Sequence, residues 1–232
     1  NIIKNYTISN LEILIKMNSA VIVAGGIGSR TSLNYPKQFY NLCDREILSY
    51  SVETFKKHPE INEVIIACHK DWINHVQKKY PKCIIVIGGE RRRDSVLNGI
   101  MATDSASKNV LIHDGARPFV TSEIISNCIQ ALNNSSACAP ILDSLDSLVK
   151  LDENNISYVN RSKIKSLQTP QCFKRSLIIN VLNSEYEGSD EIGILLQYKS
   201  TEKIQFVEGN PKNIKITTPN DLVIATSILK SR

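Results

Sequence analysis

The chemistry in this chain begins with cations gathered around a glycine turn. Ala24-Gly25-Gly26-Ile27-Gly28-Ser29-Arg30 follows an apolar run, and Pro36-Lys37-Gln38-Phe39 comes soon after. Glycines let backbone N–H groups close on a polyphosphate, and Arg30 and Lys37 would complete its neutralisation. A dinucleotide fold would want the turn to run into a helix, but Thr31 to Pro36 is unsuited to one. No Gly-Lys-Ser/Thr follows, so a P-loop is excluded. Farther along, His113-Asp114-Gly115-Ala116-Arg117-Pro118 closes another apolar run. That places Asp114 at a strand's carboxyl end, where α/β sheets bind ligands and where a carboxylate can hold Mg²⁺ between phosphates.

These segments recur in order with others. Gly88-Gly89-Glu90-Arg91-Arg92-Arg93-Asp94-Ser95-Val96-Leu97-Asn98-Gly99 is a second glycine turn, with Asp94 or Ser95 near a helix start. Arg161 precedes Thr169-Pro170-Gln171, Ser189-Asp190-Glu191 follows, and Asn213-Ile214-Lys215-Ile216-Thr217 lies near the end. Together, over roughly residues 19 to 229, they resemble the nucleotidyltransferases that make CDP-alcohols, above all the methylerythritol-phosphate cytidylyltransferases and the related ribitol-5-phosphate enzymes.

The resemblance implies a reaction in which CTP gives CMP to a small alcohol phosphate and releases pyrophosphate. It implies Arg30, Lys37 and Lys215 as the catalytic cations, with Mg²⁺ on Asp114. Ala24, Gly25, Gly26, Gly28, Gly89, Glu90, Ser95 and Gly115 would hold the nucleotide, and Arg117, Arg161, Thr169 and Ser189 the acceptor. It further implies a homodimer built through an arm, by which Arg161 would reach the acceptor phosphate across the interface. The acceptor itself stays open. Asp114-Gly115-Ala116-Arg117 and Asp190-Glu191 favour methylerythritol phosphate, whereas Lys70-Asp71-Trp72-Ile73-Asn74-His75 and the stretch from Leu145 to Val149 look more like the ribitol enzymes. Either Ser144 or Ser147 replaces a family threonine, and Lys212 stands where the family has an aspartate. A hexose-phosphate nucleotidyltransferase shares the glycine loop but not the Arg-x-x-Ser-Val helix start.

The elements that must position these residues read as alternating short apolar and amphipathic runs: Ala20 to Ala24, Ile47 to Lys57, Val64 to Cys68, Trp72 to Tyr80, Ile84 to Ile87, Ser95 to Ala102, Val110 to His113 and Ser122 to Leu132. Such β-α units predict a Rossmann-like, mostly parallel sheet with helices on both faces. Between about residues 139 and 168 the rhythm breaks into short strand-like pieces, expected to be an antiparallel β-arm. Helices are expected again at Lys174 to Leu182 and Ser189 to Tyr198, then strands at Ile204 to Val207 and Ile214 to Ile216 and a last helix after Pro219. Residues 17–232 are expected to form one domain, with 1–16 a poorly ordered extension and Met17 close to the natural start.

With 232 residues, 42% of them hydrophobic, the chain can bury a full core. It has no apolar run of about 18 residues and no secretory pattern at its start, which points to a cytoplasmic protein away from membranes. Its cysteines, Cys43, Cys68, Cys83, Cys128, Cys138 and Cys172, form no C-x-x-C pair, so reduced thiols are expected. A formal charge of +5 with dispersed basic residues argues against a nucleic-acid footprint. His58, His69 and His75 are expected at the surface, and His113 as a hydrogen-bonded structural residue.

Overall fold

A computed structural model describes residues 17–26, 36–153, 155–199 and 201–231. Arg30, Gly28 and the expected extension 1–16 lie outside the described residues. The central sheet is built from β1 (Met17–Ala24), β4 (Glu63–Cys68), β5 (Ile84–Ile87), β6 (Ser107–Asp114), β7 (Ala137–Asp143), β10 (Lys165–Leu167), β11 (Gln171–Lys174) and β12 (Ile204–Glu208). Its order is β10-β7-β11-β6-β1-β4-β5, with β12 also on β7. The β6-β1-β4-β5 half is parallel, β11 is inserted antiparallel beside β6, and β12 runs parallel to β7. This is the mixed, mostly parallel α/β sheet that the alternating runs predict.

Both faces are covered, which is why β1 is apolar almost throughout. Alternation along β1 sends Ala20, Ile22 and Ala24 to one face, where they meet α1 (Ile47–Lys57), α2 (Ile73–Lys79) and α4 (Ser122–Ala131). Val21 goes to the other face, against α3 (Arg92–Met101), α5 (Arg175–Leu182) and α6 (Glu191–Tyr198). Gly99 permits the close approach of α3, because a Cβ there would lie 2.4 Å from Val21 Cγ1. A smaller cluster of Leu42, Ile47, Phe119, Ile216 and Ala225 seats the last helix, α7 (Pro219–Lys230). Thr218 caps that helix and exchanges bonds with Asp221.

Two local readings differ from the structure, and one element has no counterpart among them. Ile214 to Ile216 is irregular rather than a strand; it is pinned where the Ile216 N–H donates to Ala116 O at 2.9 Å. His58 is buried rather than at the surface, its Nε2 3.2 Å from Ser122 O and 3.0 Å from Ser126 Oγ, which ties the end of α1 to α4. A short hairpin, β2 (Asn41–Leu42) with β3 (Arg45–Glu46), carries no signal in the apolar pattern. Within 139–168, β7 and β10 pair in the central sheet at 141–143 and 165–167, while β8 (Leu148–Asp152) and β9 (Asn155–Val159) form a separate ribbon. Leu151 and Ile156 on that ribbon are each 71% exposed.

Candidate active site

The carboxyl ends of β1 and β6 and the start of α3 enclose a cleft of about 200 Å³. Its lining includes Ala24, Gly25, Gly26, Lys37, Gly89, Glu90, Arg92, Ser95, Asp114, Gly115 and Lys215. The fold thus gathers residues from four distant motifs at the carboxyl end of the sheet, where the parallel strands point.

Each wall has a local cause. Buried Gln38 ties down the glycine turn by donating to Ala24 O at 2.6 Å and Gly26 O at 2.9 Å, and it sits on the same short helical turn as Lys37. Opposite, Ser95 Oγ accepts from the Gly89 N–H at 3.0 Å, and Asp94 caps the helix by accepting from the Arg91 N–H at 3.1 Å. Gly89 has no alternative, since a Cβ there would fall 2.2 Å from Asp94 Cβ. The start of α3 therefore presents its positive end to the cleft.

Asp114 is the centre. Its Oδ1 accepts from Arg92 Nε at 3.3 Å and Nη2 at 3.1 Å; its Oδ2 lies 2.9 Å from Lys215 Nζ and 3.5 Å from Arg117 Nε. Burial pushes this carboxyl up, but Arg92, Lys215 and Arg117 overcome it and hold the group far below the usual carboxylate range. Arg92 also donates through Nη1 to Glu191, whose side chain is 1% exposed. Burial raises the Glu191 carboxyl, against the pull of Arg92. Mg²⁺ takes one or two carboxylates and fills its shell with phosphate oxygens and water. Asp114, with exposed Glu90 nearby, fits that donor set; no cluster of three or more His, Cys, Asp or Glu suited to an all-protein cage occurs among the described residues.

The remaining expected residues divide. Thr169 turns inward: its Oγ1 accepts from the Asp114 N–H at 3.1 Å and stands 2.9 Å from His113 Nδ1. His113 is fully buried, with Nε2 3.1 Å from Arg117 O, and burial lowers it to about 4, as suits a neutral structural imidazole. Arg117 donates through Nη1 to Asn213 O at 2.7 Å and so braces the segment that carries Lys215. That segment is further held by Gln168 Nε2 to Asn210 O at 2.9 Å, and by Asn213 Nδ2 to Thr169 O at 3.0 Å. Ser189 is exposed, just before α6. Arg161 is exposed beside the ribbon and donates to Leu145 O at 2.6 Å. Sequence reading assigned no task to Gln38, Arg92 or Glu191. The only signal for the last two was an arginine in one motif and an acid in another, far apart in the chain.

Comparison with known proteins shows the family. Residues 18–231 match the family model described as IspD, 2-C-methyl-D-erythritol 4-phosphate cytidylyltransferase. A protein of that name from Clostridium acetobutylicum is 39% identical, over 92% of this chain and 98% of its own. The bifunctional ribulose 5-phosphate reductase/CDP-ribitol pyrophosphorylase Bcs1 of Haemophilus influenzae is 32% identical over 93% of this chain but 48% of its own length. The crystal structure of 4-diphosphocytidyl-2C-methyl-D-erythritol synthase from Anaerococcus prevotii superimposes with a TM-score of 0.86 at 30% identity, covering 95% of this chain and 99% of that one. The chain therefore belongs to the 2-C-methyl-D-erythritol 4-phosphate cytidylyltransferase family.

Proposed function

We propose that the protein transfers CMP from CTP to 2-C-methyl-D-erythritol 4-phosphate. The observation that carries this reading is the convergence of Lys37, Arg92 and Lys215 on one cleft that also contains a glycine turn and a helix start. Nucleotidyl transfer is catalysed mainly by positioning and by neutralising charge on phosphorus oxygens, so such a cation set is what the reaction needs. An oxygen of the acceptor phosphate attacks the α-phosphorus in line; the bond from that phosphorus to the bridging oxygen breaks, and pyrophosphate leaves. The acceptor is already ionised near neutral pH, so no general base is required.

Asp114 and the phosphates of CTP would hold Mg²⁺, which supplies further neutralisation of the triphosphate. Gly25, Gly26 and Gly89 admit the nucleotide, and Lys215 moves its charge from Asp114 to the phosphate. Arg30 is assigned to the leaving pyrophosphate alongside Lys37. The ribbon, whose apolar side chains need another surface, would pair with a second copy and bring Arg161 to the acceptor of its partner. Cytoplasmic residence fits a chain in which no helix among the described residues is long and apolar enough to cross a membrane.

The test is pyrophosphate release with CTP, UTP, GTP and dTTP against a panel of acceptors. CTP with methylerythritol phosphate should lead. Faster turnover with ribitol 5-phosphate would favour the CDP-ribitol reading, to which the Haemophilus relative gives support.

A further inference from the structure

Arg92 stands between two carboxylates that come from opposite directions. Asp114 ends β6, and Glu191 opens α6, whose N-terminus is fastened to the strand next to β6. There the Ile192 N–H donates to buried Gln171 Oε1 at 3.0 Å, and Asp190 accepts from the Gly193 N–H at 2.7 Å. Glu191 is thus immobilised at its place, with one oxygen on Arg92 Nη1. Its other oxygen, Oε2, is buried with no hydrogen-bond partner among the described residues. A buried carboxylate left half satisfied is a poor way to gain stability, because a neutral group of the same shape usually does as well or better. Stability therefore does not account for the charge of Glu191.

The division of bonds at Asp114 does. Arg92 takes only Oδ1, and Oδ2 is left to Lys215 and Arg117. If Glu191 were uncharged, the whole field of Arg92 would fall on Asp114 and on any nearby phosphate. Resting on the reading of the cleft as a cytidylyltransferase site, we propose that Glu191 is a positioning residue. By sharing Arg92 with Asp114, it fixes one carboxylate oxygen and leaves the other to Lys215, whose ammonium can then pass from Asp114 to the substrate's phosphate.

The test compares Glu191→Gln, Arg92→Lys and the double variant with the wild-type chain. Three readouts are used: kcat, CTP binding by calorimetry in chelator, and the thermal midpoint. Glu191→Gln keeps the shape and removes the charge. It should lower kcat roughly tenfold or more while CTP binding in chelator stays equal or tightens, since one positive charge is no longer shared. Its thermal midpoint should not fall. Arg92→Lys, which cannot fork between two carboxylates, should also lose turnover, and the double variant should be no slower than the slower single one. A kcat for Glu191→Gln within twofold of wild type would overturn the proposal. So would losses that multiply in the double variant, or a loss in which kcat, CTP binding and midpoint all decline together, as a merely structural role requires. A wild-type chain that neither bound nor turned over CTP would instead remove the reading beneath it, and the proposal with it.

Discussion

Asp114 is buried and bonded to side chains and backbone of its own chain, whereas the β8–β9 ribbon holds Leu151 and Ile156 out at 71% exposure. The two regions differ in what finishes them. At the cleft the chain supplies its own counter-charges: three cations for Asp114 and a second acid for Arg92. On the ribbon the backbone is paired strand to strand, but the side chains are not covered. An isolated two-stranded ribbon is marginal in water, which is why its completion is assigned above to a second copy of the chain. The contrast teaches where each kind of substitution should be felt: inside the cleft as lost chemistry, on the ribbon as lost assembly.

The strongest way to break that contrast is at the lysines. Lys37→Ala or Lys215→Ala should cut turnover by roughly 10² or more, because removing one preorganised charge contact costs on the order of 3 kcal/mol of transition-state stabilisation. Near-normal turnover with folding intact would show that the cleft does not act through its cations. His113 probes the same region without touching substrate. Its imidazole is held neutral to about pH 4 against an ordinary value of 6.5. The unfolded chain therefore takes up a proton below 6.5 that the folded chain refuses. Stability should fall by about 3 kcal/mol as pH drops from 6.5 to 4 and then level off. Denaturant titration of the wild type and His113→Gln should show that slope in the first and lose it in the second.

Arg161 lies between the regions and sharpens the comparison. Arg161→Ala should raise the KM of the alcohol phosphate strongly while leaving that of CTP almost unchanged. Mixed dimers of Arg161→Ala and Lys215→Ala chains should regain about one working site of two, as complementation across an interface requires. Equal loss for both substrates would place Arg161 with the nucleotide, and absence of rescue would argue against a shared site. The smallest effect is expected at the ribbon. Leu151→Lys should alter the stability of a single chain by no more than about 0.5 kcal/mol, as exposed positions generally do, yet shift sedimentation from dimer to monomer. A large loss of single-chain stability would mean that the ribbon is packed within its own chain after all.

Much of this was readable in the sequence, and the failures have physical reasons. The β-α rhythm is a local signal carried by apolar period, and it located the strands and helices that build the cleft. Glycine turns and the acid at the end of β6 were legible because backbone approach and strand-end placement restrict residue type. Ile214 to Ile216 misled because its apolar alternation serves a packed irregular segment, with Ile216 in the cluster under α7. His58 misled because a polar side chain near Pro59 resembles a loop, although Ser122 and Ser126 supply its buried partners from another element. Thr169 was expected to face the acceptor, yet its hydroxyl is engaged by His113 and the Asp114 backbone. The Arg92–Glu191 pair is a meeting of residues almost a hundred positions apart, which no local pattern announces.

The root of the arm has one mechanical consequence. Strand β10 runs directly into Gln168 and Thr169, the residues that grip Asn210, Asn213 and the Asp114 backbone, while Gly209 hangs from Ile141 of β7 by a 2.9 Å bond. Lys215 follows two positions after Asn213. The root of the arm is thus part of what holds the lysine in place. The ribbon itself joins this root through residues 144–147 and 160–164, which lie outside the strands, so a disturbance reaches the lysine only when it is passed on to β7 or β10. The packing of β7 and β10 and the placement of that lysine are then tied to one another, and whatever loosens the first should blur the second.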